Sequence, residues 1–190
     1  MRKVFIDCGC NDGDTIRAFK EGSIFSHIPN HEEFEMIGID VCSDFKSKVV
    51  SEGAQFIHSA VYINDTPIVC KMAKDQSVSS SILPENNKAA TWYYSHEEKV
   101  PSMDFSSWIM SNFTRDDFIL LKMDIERAEY EVLQKMINDC SIFWVKELMI
   151  EFHYSFRQID KRSVRKWYRE FAAFIIRYLT ELGIPVREYK

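Results

Sequence analysis

Apolar residues follow two rhythms along this 190-residue chain. Short apolar runs at residues 4–7, 35–40, 54–61, 118–124 and 144–152 have the length and bounds of buried strands. The run from Phe118 to Asp124 is nearly all apolar, as in a strand covered on both faces. Segments with helical spacing lie between and after them, at 15–24, 44–50, 105–113, 126–137 and 164–182. Tyr130, Leu133 and Ile137 line one side of the fourth, and Gly183 stops the last. Residues 68–72 add an extended piece, and 184–186 begin a final strand. Strands alternating with helices predict an α/β fold, Rossmann-like, with a mostly parallel sheet flanked by helices. No repeat or strong linker divides the chain, so a single domain over 1–190 is expected. Between Lys74 and Lys99 the pattern dissolves into a serine run, a proline, an asparagine pair and Trp92-Tyr93-Tyr94. This stretch reads as a substrate loop or lid, or as an excursion carrying a short hairpin.

Charge narrows the partners. The formal net charge is -5, which argues against a nucleic-acid partner. The densest basic run, Lys161-Arg162 with Arg165-Lys166, falls in an amphipathic helix and reads as its solvated face. The five cysteines, Cys8, Cys10, Cys42, Cys70 and Cys140, are odd in number and complete no zinc set, so free thiols are expected. Asp7 interrupts the first apolar run too early for a signal peptide, and no segment approaches the ~20 apolar residues of a membrane span. The expectation is a soluble cytoplasmic protein.

Acids end the strands. Asp7, Asp40, Asp124 and Glu151 each close an apolar run, and in an open α/β sheet those ends form the ligand-binding rim. The first run continues as VFIDCGCNDGDT, where Gly9 and Gly13 supply a sharp turn before a helix. The spacing is not Gly-x-Gly-x-x-Gly, and Asp14 would repel a pyrophosphate, so the dinucleotide fingerprint fails. Asp40 can accept both hydroxyls of a ribose. A ribose without a pyrophosphate, beside tolerated acids, suits S-adenosyl-L-methionine, whose amino-acid end and sulfonium carry positive charge.

With VFIDCGCNDGDT, the block LLKMDIERAEYEVLQKM, the segment VPSMDF and the MIEFH at 149–153, the chain resembles the FkbM-type S-adenosylmethionine-dependent methyltransferases over nearly its whole length. The resemblance implies a class I methyltransferase fold and O-methyl transfer, often to hydroxyls of sugars, glycans or related products. By position it implies that Asp7, Gly9, Asn11 and Gly13 line the cofactor's amino-acid end. It puts Asp40 at the ribose, and Ser59 and Ala60 near the adenine. Asp124, Glu126, Glu129, Glu151 and His153 would face the methyl and the acceptor. Two features depart from the family. Arg127 stands where the family commonly has glycine, through a shifted helix start or as a group reaching toward an acidic acceptor. The pattern also shows six principal strands where the full fold has a seventh, leaving an edge that a partner domain or subunit would cover.

For methyl transfer, His153 is the first candidate general base, or a histidine that orients Glu151. Asp124 is the second, or a helix N-cap. Glu126 and Glu129, three apart, hold acceptor hydroxyls or simply place acids in a first helical turn. Lys122 reads as a salt link to a neighbouring carboxylate, and Trp92 as a stacking platform for a sugar or as part of an exposed turn. Asp124, Glu126, Glu151 and His153 form an oxygen-rich group, but in no recognised metal spacing, and no metal is assigned. The alternatives are a noncatalytic cofactor-binding partner or regulatory domain and, third, an NAD-dependent oxidoreductase.

Overall fold

The structure, a computed structural model, describes residues 1–73, 94–153 and 162–189. Along the chain run β1 (Lys3–Cys8), α1 (Asp14–Lys20), β2 (Glu35–Asp40), α2 (Lys46–Ser51), β3 (Gln55–His58), β4 (Ala60–Tyr62) and β5 (Ile68–Ala73). Then follow β6 (Tyr94–Val100), β7 (Ser102–Asp104), α3 (Phe105–Asn112), β8 (Phe118–Met123), α4 (Glu129–Asn138), β9 (Val145–Ile150), α5 (Arg162–Glu181) and β10 (Val186–Glu188). Six strands form one sheet in the order β10-β9-β8-β1-β2-β3, all parallel. The order grows outward from β1 in one direction and from β8 in the other. The crevice at that switch point is where open α/β sheets bind ligands. This is a Rossmann-like architecture.

Alternation along the central strands sorts the core into two layers. Val4, Ile6 and Cys8 with Ile119, Leu121 and Met123 pack against apolar side chains of α3, α4 and α5. Phe5 and Leu120 face the other way, toward Ile16 and Phe19 of α1 and Val49 of α2. There Phe5 stacks on Phe19 with ring centres 4.2 Å apart, and Phe25 meets both rings edge-on. The same alternation puts Asp7 on the Phe5 side and Lys122 on the Leu120 side, and the two are register partners across β1 and β8.

Two expectations change, and for part of a third stretch one of its two readings holds. The strand expected over 54–61 is two strands in different sheets. The Ser59 amide still bonds the Asp40 carbonyl at 3.0 Å, but the Ala60 amide turns to the Pro101 carbonyl at 2.8 Å, and β4 then pairs with β7. Beyond the end of β2 the chain has no partner left in the main sheet. The C-terminal part of the expected lid is β6, antiparallel to β5, so residues 94–99 belong to a hairpin. Residues 74–93, Trp92 among them, lie outside the described residues. The helix expected from 126 begins at Glu129, because Glu126 and Arg127 take left-handed φ values of 54° and 86°. Among the described residues no helix is long and apolar enough to cross a membrane.

Candidate active site

A cavity of ≈ 550 Å³ opens along the carboxyl ends of β1, β2, β8 and β9. One end is shaped by backbone. Gly9 leaves β1 with φ +77°, and its amide donates to the Ile39 carbonyl at 2.9 Å. A Cβ there would stand 1.9 Å from the Asp124 carbonyl oxygen, so only glycine lets β1 and β8 close at this point. Asn11, with φ 46°, turns its amide onto Asp40 Oδ2 at 2.9 Å, and the Cys42 amide reaches Asp40 Oδ1 at 2.8 Å. Burial pushes the Asp40 carboxyl up, while these two amide bonds draw it back toward the ionised form. Asp40 is therefore a fixed acceptor on the cavity wall, with Ser59, Ala60 and Phe45 around it.

At the floor, Lys122 is 2% exposed, and Asp7 lies fully buried beneath it, 3.1 Å away. The Lys122 ammonium also donates to the Gly9 carbonyl at 3.0 Å and to Asp124 Oδ2 at 3.4 Å. Burial pulls that ammonium down, but the charges of Asp7 and Asp124 more than offset it and hold the lysine charged. Complete burial pushes the Asp7 carboxyl up to about 6 against the pull of Lys122, so both groups are ionised at neutral pH.

The other end is acidic. His153 Nδ1 bonds Glu129 Oε1 at 2.7 Å. Its Nε2 stands 3.5 Å from Asp124, 3.7 Å from Glu126 and 3.8 Å from Glu151. Burial would lower the imidazole, but the bond to Glu129 and the charges of Glu129, Glu126 and Asp124 raise it to about 9. The ring is an imidazolium at neutral pH. Burial, then the nearby Asp124 charge, raises the Glu151 carboxyl, whose side chain is 38% exposed.

The residues expected at the rim thus divide. Gly9, Asn11, Asp40, Ser59 and Ala60 line the cavity, and so do Asp124, Glu126, Glu151 and His153. Asp7 does not. β1 runs one residue beyond it, which leaves its side chain inside the sheet layer. Gly13, with φ +90°, starts α1 against Val49 and is not on the cavity wall. Glu129 was expected at the acceptor, but it is fully buried and accepts from Ile125 N at 3.1 Å and from His153. It acts on His153 rather than on a ligand. Arg127 is also off the wall, with its guanidinium 5.8 Å from the centre of the Tyr168 ring. Asp124 caps no helix, because α4 starts five residues later. Phe45 and Tyr189 line the cavity without having been singled out from the sequence. Both follow strand ends, β2 and β10, so strand-end position was the available signal.

The family model described as the methyltransferase FkbM domain matches residues 7–184. No curated protein and no solved structure is significantly similar to the chain. The matched segment carries β2, β3, β8 and β9 whole and the end of β1, and all the residues of the cavity wall but Tyr189. The chain belongs to the family of FkbM methyltransferase domains.

Proposed function

We propose that this methyltransferase uses S-adenosyl-L-methionine to methylate a hydroxyl of a sugar, a glycan or a related small molecule. The observation that carries the reading is the polarity of the one cavity. A pinned carboxylate and a glycine cradle stand at one end, and an acid-and-imidazole cluster stands at the other. Asp40 keeps acceptor capacity for a ribose, and Gly9 lets the end of β1 close against Asp124, which shapes that end of the cavity. Asp12 and Asp14 at the mouth suit a cationic amino-acid end and oppose a pyrophosphate. When bound, S-adenosyl-L-methionine supplies an electrophilic methyl on a sulfonium.

The chain's own task is to align the acceptor oxygen and take its proton. His153 already holds a proton at neutral pH, so the role first expected of it passes to a carboxylate. Glu151 is the choice: it lines the cavity, its pKa is raised, and the imidazolium lies 3.8 Å away. Asp124, between Lys122 and His153, positions both cations and is the next candidate. Asp124, Glu126 and Glu151 together disfavour an anionic acceptor and favour neutral hydroxyls as hydrogen-bond donors.

Calorimetric titration with S-adenosylhomocysteine tests the reading. One ligand per chain is expected, with affinity reduced roughly 10- to 100-fold in Asp40→Ala, the loss of about 1.5–3 kcal/mol typical of hydrogen bonds to a charged group. A folded protein that binds none of it would sink the reading. Binding opens the acceptor screen, with neutral sugars first.

A further inference from the structure

Among the described residues, the acidic end of the cavity gathers more carboxylates than cations. Four carboxylates, Asp124, Glu126, Glu129 and Glu151, surround one imidazole. The three Nε2 distances, 3.5, 3.7 and 3.8 Å, are all longer than hydrogen bonds. One oxygen of Asp124, one of Glu126 and a nitrogen of His153 lie within 4.8 Å of one another. Ligand atoms about 2.1 Å from a common ion stand about 3 Å apart when adjacent and about 4.2 Å apart when opposed. The two distances from Nε2 to Asp124 and Glu126 therefore need to close by only about half an ångström around an ion.

A second observation sets this group apart from a chance gathering of acids. Glu129 is fully buried and takes His153 by Nδ1, which leaves Nε2 as the nitrogen turned to the two cavity carboxylates. Metal-binding histidines are held in this way, the far ring nitrogen donating to a carboxylate that fixes the ring and strengthens the ligand. The other oxygen of Glu129 is buried with no hydrogen-bond partner among the described residues. Burying a carboxylate with half its acceptor sites unanswered is costly unless a strong positive charge lies close by. The ring supplies one such charge, and a dication on its far side, taking the place of the Nε2 proton, raises the positive charge facing the four carboxylates by one.

We propose that Asp124, Glu126 and Nε2 of His153 bind a divalent cation, with Glu129 as the carboxylate that orients the imidazole. The donors are two hard oxygens and one imidazole nitrogen, with no thiolate among them, a mixed set that suits Mn²⁺ better than an all-oxygen ion or a thiophilic one. The use of the ion rests on the methyltransferase reading. Its other coordination positions take water and a pair of hydroxyls from the acceptor, which makes a vicinal diol the preferred acceptor class. His153 binds the ion as neutral imidazole, and its Nε2 proton leaves to solvent on binding.

Mn²⁺ alone is the probe, followed by loss of the free-ion electron paramagnetic resonance signal. The wild-type protein is expected to take up one Mn²⁺ per chain, and the electron spin echo of the bound ion should show modulation from a coordinated nitrogen. Glu126→Gln and His153→Gln, each checked for folding by circular dichroism, should abolish uptake. Glu129→Gln should weaken it roughly 10- to 100-fold, as for other outer-shell partners. The spin-echo signature needs no variant, so a variant that fails to fold leaves the test intact. No uptake at millimolar Mn²⁺, bound Mn²⁺ without nitrogen modulation, or uptake undiminished in both folded ligand variants overturns the site. S-adenosylhomocysteine titrated into the same preparation separates the two ideas: a protein that binds it but no Mn²⁺ loses the metal site and keeps the methyltransferase reading.

Discussion

Lys122 and His153 both reach Asp124, from opposite sides, and the protein treats the two cations differently. Lys122 forms part of the cavity floor over Asp7, and the pair is almost closed off, at 2% and 0% side-chain exposure. Its three contacts, Asp7, Asp124 and the Gly9 carbonyl, tie β1 to β8 at the switch point. His153 faces the cavity, 12% exposed, with four carboxylates around it. The first cluster comes close to balancing its charge within the fold. The second, among the described residues, carries an excess of negative charge at the cavity. A buried ion pair that is self-sufficient fixes a geometry, whereas one left out of balance at a cavity is available for binding and chemistry.

Removing Lys122 should have the largest effect. Lys122→Met keeps most of the volume but strands Asp7 and weakens the hold on Asp124. A loss of about 3–5 kcal/mol is expected, the cost of breaking a buried pair from one side. Urea denaturation checks it. If the variant is nearly as stable as the wild type, Lys122 is not what balances the floor, and the contrast with His153 collapses.

The difference between the clusters traces to features that the sequence carries unevenly. The parallel sheet, its strand ends and the salt link of Lys122 were all legible, because long apolar runs and their closing residues are local signals. Asp7 and Asp40 look alike in sequence, each an acid closing an apolar run. Yet Asp40 is the last residue of β2 and meets the cavity, while β1 continues to Cys8 and keeps Asp7 inside. One residue of register, fixed by pairing across the sheet, separates a binding group from a structural one. Glu129, an acid in the first turn of α4 as one of its two readings had it, is kept from the cavity for a similar reason. A helix running from 126 would have put it beside Glu126 on one face, but the left-handed turn at Glu126 and Arg127 turns Glu126 to the cavity and leaves Glu129 underneath. Phe45 and Tyr189 also follow strand ends, but neither is an acid, so a search for carboxylates that close apolar runs passes over them.

The His153 cluster should show itself in the pH dependence of stability. Its imidazole is raised from about 6.5 to about 9 by Glu129, Glu126 and Asp124, with Glu151 also facing it. A raised base stabilises the fold fully below its unfolded pKa and loses that contribution as pH climbs through the folded value. About 2–3 kcal/mol should therefore drain away between about pH 6.5 and pH 9.5. The buried thiols Cys8, Cys10 and Cys70, whose pKa values are also raised, add their own loss above about pH 8.5. The readout is therefore the wild-type stability minus that of His153→Gln across the window, in metal-free buffer. A difference independent of pH would mean that His153 is not held as an imidazolium.

The smallest effect, and the sharpest on local geometry, concerns Arg127. Its φ of 86° lies in the left-handed region, where an L side chain costs about 1–2 kcal/mol. Glycine would remove that strain but lose about 0.5–1 kcal/mol through the entropy of a freer unfolded chain. It would also forgo the contact between the guanidinium and Tyr168, worth about 0.5–1 kcal/mol. The gains and losses nearly cancel, so Arg127→Gly should change stability by less than about 1 kcal/mol. That explains how a family glycine position accepts arginine here, where Gly9 cannot: a Cβ at Gly9 meets a backbone oxygen at 1.9 Å, a clash no side-chain contact repays. Arg127→Ala loses the ring contact and keeps the strain. Glycine should therefore be more stable than alanine at 127 by about 0.5–1 kcal/mol, the reverse of their order inside a helix. Paired urea titrations decide it. Alanine ahead of glycine would mean that residue 127 is helical in solution, with α4 starting at Glu126, and Glu126 would then turn away from the cavity to share a face with Glu129.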